Sequence, residues 1–178
     1  MRYFITILLI IFFSGCSVKQ NSSSNLNKNK KIEDLSLAIS SLSSTVNKKE
    51  ARQLASISYL YPLKLIEDYQ LTSPPLFHNT LINMNIKKRG FCYHFAEDLI
   101  KELKKQSFKT IKLKWVTHKK NDYWEHNAVL LTAKDQSYKK GIILDAWRNS
   151  GKLYWNYLTK DTSYTWVEDR QKSNYFGN

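Results

Sequence analysis

The sequence predicts an α+β domain, with helices first and a largely antiparallel sheet after them. Three observations carry this. Apolar residues recur at three- and four-residue spacing through the first half of the chain. After about residue 110 the period changes to two. The two kinds of segment are segregated rather than alternating, which disfavours the crossover units of a parallel sheet. A chain of 178 residues that is 42% hydrophobic and 13% aromatic can bury one core, and it suits one domain.

The elements follow in order. Ile32, Leu35, Ile39, Leu42 and Val46 fall on one face of a first helix. Asn47, with Glu50 three residues later, has the form of a helix start in which Asn accepts from the backbone and Glu reaches back. A second helix then runs through Ala51, Leu54 and Ala55 towards Tyr61, where Pro62 breaks or restarts it. Pro74-Pro75 marks a loop or a helix start, and Leu76, Phe77, Thr80, Leu81 and Met84 outline a short third helix. Lys87 to Gly90 reads as a loop. Phe95, Ala96, Leu99, Ile100 and Leu103 form a clear helical stripe, so Cys92 stands in the first turn of a fourth helix. Ile111, Leu113 and Trp115 then alternate with Lys112 and Lys114, as in a half-exposed strand. Tyr123–Thr132, Gly141–Ala146, Lys152–Tyr157 and Tyr164–Val167 are the further strands, with a turn at Ser150-Gly151. Trp115, Trp124, Trp155 and Trp166 are read as core or sheet-face residues rather than carbohydrate platforms.

Ahead of the domain, Met1-Arg2 is followed by an apolar run from Tyr3 to Phe13, broken only by Thr6. Eleven residues are too few to span a hydrocarbon core, which takes about 20, but they fit a secretory signal. Ser14-Gly15-Cys16-Ser17 resembles a bacterial lipobox, with Phe13 where Leu is usual. The resemblance implies a lipoprotein signal over 1–15, lipidation of Cys16, and a domain tethered to a membrane on the periplasmic side. Ser17 in place of Asp favours the outer membrane in a host that has two. The Ser/Asn/Lys-rich stretch 16–31 reads as a flexible tether, leaving 32–178 as the domain.

The formal charge is +13, from 28 Lys plus Arg against 15 Asp plus Glu. Removing 1–15 takes away only Arg2. Twenty-three of the cations are Lys, and the chain is also rich in Asn, Ile, Tyr and Phe. All have A/T-rich codons, so genome composition accounts for much of the charge. Export and the lack of an Arg-rich stripe argue against nucleic acid. An anionic envelope surface is the partner the charge points to.

There are two cysteines. With Cys16 lipidated, Cys92 is the one thiol of an exported domain and has no disulfide partner. The four histidines, at 78, 94, 118 and 126, form no short paired motif, so the sequence calls for no metal and no cofactor. Cys92 at a helix start, His126 inside an apolar strand and Asp145 at the end of another form an ordered triple. Helix-start N–H groups favour a thiolate. An imidazole can take the thiol proton and return it to a leaving group, and a carboxylate fixes the imidazole's tautomer. Each residue also has a structural reading: Cys92 as a small buried hydrophobe, His126 as a satisfied core histidine, Asp145 as the cap of a turn through Asn149-Ser150-Gly151. His94 is a rival base, but two residues along a helix it points away from Cys92. His118 is placed at an exposed strand end. The Cys92 N–H is the first oxyanion donor; Asn83, Asn85, Tyr93 and His78 are the alternatives for the second. Arg148 reads either as solvated surface or as a partner for a substrate carboxylate.

Gly90-Phe91-Cys92-Tyr93-His94-Phe95-Ala96 resembles the Gly-x-Cys-x-x-x-Ala signature of transglutaminase-like cysteine enzymes, a branch of the papain-like fold. Glu125-His126-Asn127-Ala128-Val129 resembles the strand bearing their His, and Leu144-Asp145-Ala146-Trp147 their closing strand. The matched stretch is about a third of the chain. The resemblance implies a papain-like core and a Cys92-His126-Asp145 triad, with Trp147 shielding the polar pair and Tyr93 beside the nucleophile. It implies attack on an amide or ester carbonyl, then hydrolysis or transfer. Peptidoglycan stem peptides or an exported protein are the substrates such an enzyme would meet. The alternative is a non-catalytic envelope lipoprotein using the same fold as a binding or assembly module.

Overall fold

The computed structural model describes residues 22–177. The apolar run and Cys16 lie outside them. Five helices and a five-stranded antiparallel sheet make an α+β domain, helices first. The helices are α1 (Ser22–Ser40), α2 (Lys48–Asp68), α3 (Pro75–Asn83), α4 (Cys92–Lys104) and α5 (Arg170–Gly177). The strands are β1 (Ile111–His118), β2 (His126–Ala133), β3 (Ile142–Asn149), β4 (Lys152–Tyr157) and β5 (Val167–Glu168), in spatial order β4-β3-β2-β1-β5. No helix among the described residues is long and apolar enough to cross a membrane.

The period-two pattern sorts the sheet into two faces. Ile111, Leu113 and Trp115 of β1, Val129 and Leu131 of β2, and Ile142 and Leu144 of β3 join the apolar stripes of α1, α2 and α4 in the main core. Val116, Ala128, Leu130 and Ile143 point the other way, under Trp166. β2 is therefore buried on both faces, which explains why its sequence is a run of apolar residues rather than an alternation. All five residues of the α4 stripe are buried. At about 1.5–3 kcal/mol for each fully buried large side chain, that face fixes α4 against β2 and β3.

Several elements differ from the sequence expectation. α1 begins at Ser22, inside the stretch read as tether; residues 25–31 are all exposed, so this part of the helix leaves no apolar stripe to read. α2 continues through Pro62 to Asp68. An interior proline costs about 3 kcal/mol, which the burial of Ala51, Leu54, Ala55 and Leu65 along the same helix outweighs. Asn47 caps α2 as expected, its Oδ1 accepting from Lys49 N at 2.8 Å and Glu50 N at 3.3 Å. Glu50 does not reach back. Its carboxylate accepts from Lys109 N (2.8 Å), Thr110 N (2.9 Å) and Thr110 Oγ1 (2.6 Å), tying down the loop before β1. Tyr164 and Trp166 precede β5 rather than forming it, and pack beneath the sheet. Trp124 is not a core residue but 59% exposed. α5 has no counterpart in the sequence reading; its packing on β1 rests on Ser173, whose Oγ accepts from Trp115 N at 2.9 Å.

Candidate active site

The loop before α4 is built around two histidines. His78 is fully buried; its Nε2–H donates to Arg89 O at 2.8 Å while Nδ1 accepts from Thr72 N at 3.1 Å. Gly90 has φ +128, and a Cβ there would lie 2.3 Å from His78 Nε2, so this position requires glycine twice over. His94 Nδ1 accepts from the N–H groups of Gly90 (3.1 Å) and Phe91 (3.2 Å). Both of these histidines are thus committed to holding the backbone that presents Cys92. His94 is no rival base, and His78 is no oxyanion donor, since its N–H is already spent on Arg89 O.

Cys92 is the first residue of α4 and is buried. Its thiol donates to Glu125 O at 3.8 Å, and its sulfur accepts from Asn127 Nδ2 at 3.9 Å. The sulfur therefore sits at the start of β2, between the residues that flank His126.

His126 opens β2 and is buried on the face away from α4. The β2–β3 register pairs Val129 with Leu144; carried on, it sets Asp145 against Ala128, two residues from His126 and on the same face. His126 Nε2 meets Asp145 Oδ2 at 2.6 Å. Burial opposes a charge on His126, but the Asp145 carboxylate, and then Cys92, outweigh it and push the pKa up to about 9. His126 Nδ1 is buried without a hydrogen-bond partner. Burial favours neutral Asp145, yet His126 and Arg148 hold its pKa below the usual carboxylate value.

Asp145 is held from every side. Its Oδ1 accepts from Trp147 N and Arg148 N, both at 3.1 Å, and its Oδ2 accepts from Arg148 Nε at 2.9 Å. The backbone bonds are the turn-capping geometry of the structural reading, and they coexist with the His126 pair. Arg148 donates its remaining groups to Asp161 at 3.2 and 2.7 Å and lies over the rings of Tyr154 and Tyr164. Arg148 is not a solvated surface residue: its side chain is 15% exposed, and three of its five N–H donors are spent on the Asp145 and Asp161 carboxylates. It orients Asp145. Trp147, Tyr164 and Trp166 surround the imidazole, with ring centroids 4.9, 4.6 and 5.3 Å away. Trp147 stands where shielding was expected, with two further aromatics that spacing did not mark.

The other predicted residues are more peripheral. Tyr93 follows Cys92, its ring stacked on Phe91 at 5.5 Å and 41% exposed. Asn83 is exposed at the end of α3. Asn85 is exposed with φ 59, and Ile86 N closes on Leu81 O there; it serves the left-handed turn that ends α3, with nothing tying it to the sulfur. His118 is at the end of β1, bonded to Thr165.

Asn127 is the residue beside the Cys92 sulfur to which sequence reasoning gave no role. It is buried, and its Oδ1 accepts from Trp115 Nε1 (2.6 Å), Thr117 Oγ1 (3.0 Å) and Lys172 Nζ (3.4 Å). That fixes the amide so that Nδ2 faces Glu125 Oε1 at 2.9 Å and the Cys92 sulfur. The available signal was a polar residue beside His126 in an otherwise apolar strand, since a buried amide needs partners.

Among the described residues no group of three or more His, Cys, Asp or Glu could hold a metal ion. No protein family, curated protein or solved structure matches the chain.

Proposed function

We propose that the chain is a lipid-anchored envelope thiol enzyme that cleaves or transfers an amide bond through Cys92, His126 and Asp145 on a papain-like core. The observation that carries this reading is the buried His126–Asp145 pair at 2.6 Å, whose remaining nitrogen, Nδ1, is unpartnered at the strand end where the Cys92 sulfur sits. In this reading the Cys92 thiol gives its proton to Nδ1. The thiolate attacks the carbonyl carbon, and the C–N bond breaks as the imidazolium returns the proton to the leaving amine. Water or an amine then releases the thioester, with Nδ1 taking the incoming proton. The Cys92 N–H and Asn127 Nδ2 are the two donors for the oxyanion. Residues 1–16 supply the anchor, and peptidoglycan peptides or exported proteins are the amides within reach.

The test is alkylation of the full chain by iodoacetamide across pH 5–9, alongside turnover of peptide amides. Enhanced reactivity at Cys92 near neutral pH and loss of turnover in Cys92→Ala are expected. A free-thiol profile with a midpoint near ~8.5 rejects the enzyme. The burial of Cys92 and His126 is what a non-catalytic binding module would retain. Binding to anionic polymer lost by ~0.5 M salt, with an unreactive thiol, would select that reading instead.

A further inference from the structure

We propose that α3 and the turn after it dock on an anionic phospholipid surface. α3 buries one side chain, His78, whose two ring nitrogens pin the helix to the Thr72 and Arg89 backbone. Pro75, Leu81 and Ile82 are half-buried, but Leu76 and Phe77 are turned outward. Leu76 is 56% exposed, Phe77 49%, and Met84 and Ile86 in the following turn 62% and 58%. None of these four side chains belongs to a core cluster, and each leaves about half or more of its surface in water.

Charge selects the occupant. Between Asp68 and Glu97 the chain has no carboxylate, and its only full charges are Lys87, Lys88 and Arg89. Lys88 is exposed, Lys87 reaches Gln70 at 3.1 Å, and Arg89 pairs with Asp98 at 2.8 Å. Exposed apolar side chains followed in the chain by Lys87 and Lys88, neither paired with a carboxylate, match the boundary between acyl chains and anionic headgroups. Docking here sets the domain down close to Cys92, six residues beyond Ile86. The docking face does not depend on the thiol chemistry: Cys92→Ala keeps it.

Hydrogen exchange of the full chain with phosphatidylglycerol and with phosphatidylcholine vesicles tests this. This readout rests on the lipid anchor of the proposed function, which would hold the chain on both vesicles alike, so that the difference between them reports the docking face. Amides of residues 75–86 are expected to exchange about tenfold more slowly on the anionic vesicles only. Lys87→Gln and Lys88→Gln should each weaken the effect about fivefold, and Leu76→Ser with Phe77→Ser should abolish it. All four positions lie outside the core, and unchanged circular dichroism verifies the fold. Equal protection on both lipids, no protection on either, or protection that grows with protein concentration without lipid (a second copy) overturns the proposal.

Discussion

Replacing Asp145 by Asn removes the charge that governs His126 while leaving the volume nearly unchanged. His126 has its pKa raised from 6.5 to about 9, a differential interaction of about 3 kcal/mol at 1.36 kcal/mol per pKa unit. The folded value lies above the unfolded one, so the protonated imidazole contributes this stability in full below pH ~6.5. It is lost as pH rises from there through about 9. Two assays follow the same group. Urea denaturation of the wild-type chain at pH 6 and pH 10 should differ by about 3 kcal/mol from this residue, and Asp145→Asn should erase that difference. An NMR titration of the His126 ring should have a midpoint near 9 in the wild type and a clearly lower one in the variant, where only Cys92 still opposes burial. Loss of the imidazolium at neutral pH should also slow alkylation of Cys92 at pH 7 by about 10- to 100-fold. A wild-type His126 that titrates at or below 6.5 with Asp145 intact would refute the reasoning, because the short His126–Asp145 contact would then carry no charge.

Three further outcomes are expected. Asn127→Leu strands the buried Trp115 Nε1 and Thr117 hydroxyl and should cost about 2–3 kcal/mol in urea denaturation. It should also lower kcat with little change in KM, as loss of an oxyanion donor does, by about 100-fold. Gly90→Ala drives a Cβ into His78 at a positive φ; a drop of about 2–4 kcal/mol is expected, and equal stability would mean that the loop before α4 is not held by His78. Arg148→Met leaves the buried Asp145 and Asp161 carboxylates facing each other without their shared cation. It should destabilise by about 3–5 kcal/mol, with the loss recovering at low pH as those carboxylates protonate.

Much of the fold was legible because burial is periodic. The α4 stripe and the β1 alternation each mark a face, and a face is a local property of spacing. β4 was found with its observed bounds because the Ser150-Gly151 turn marks where it starts. The triple was legible in part because its members are anomalous where they stand: a thiol at a helix start, an imidazole and a carboxylate in apolar strands. Arg148 and Asn127 were not legible as what they are. Arg148 is bound by Asp161 and two tyrosines from beyond β3, and Asn127 by α5 and β1.

The sequence alone determined the order and kind of the principal elements, helices then antiparallel strands, and the residue types available for thiol chemistry. Periodicity and turn residues act over one or two turns of chain, and they leave their mark wherever a face is buried. Only the tertiary structure decided which distant groups meet. It carried α2 through Pro62, sent Glu50 to the β1 loop, spent His78 and His94 on backbone, and brought Asn127 to the Cys92 sulfur. Those outcomes depend on docking and register, where a shift of one residue along β2 or β3 would turn His126 and Asp145 to opposite faces.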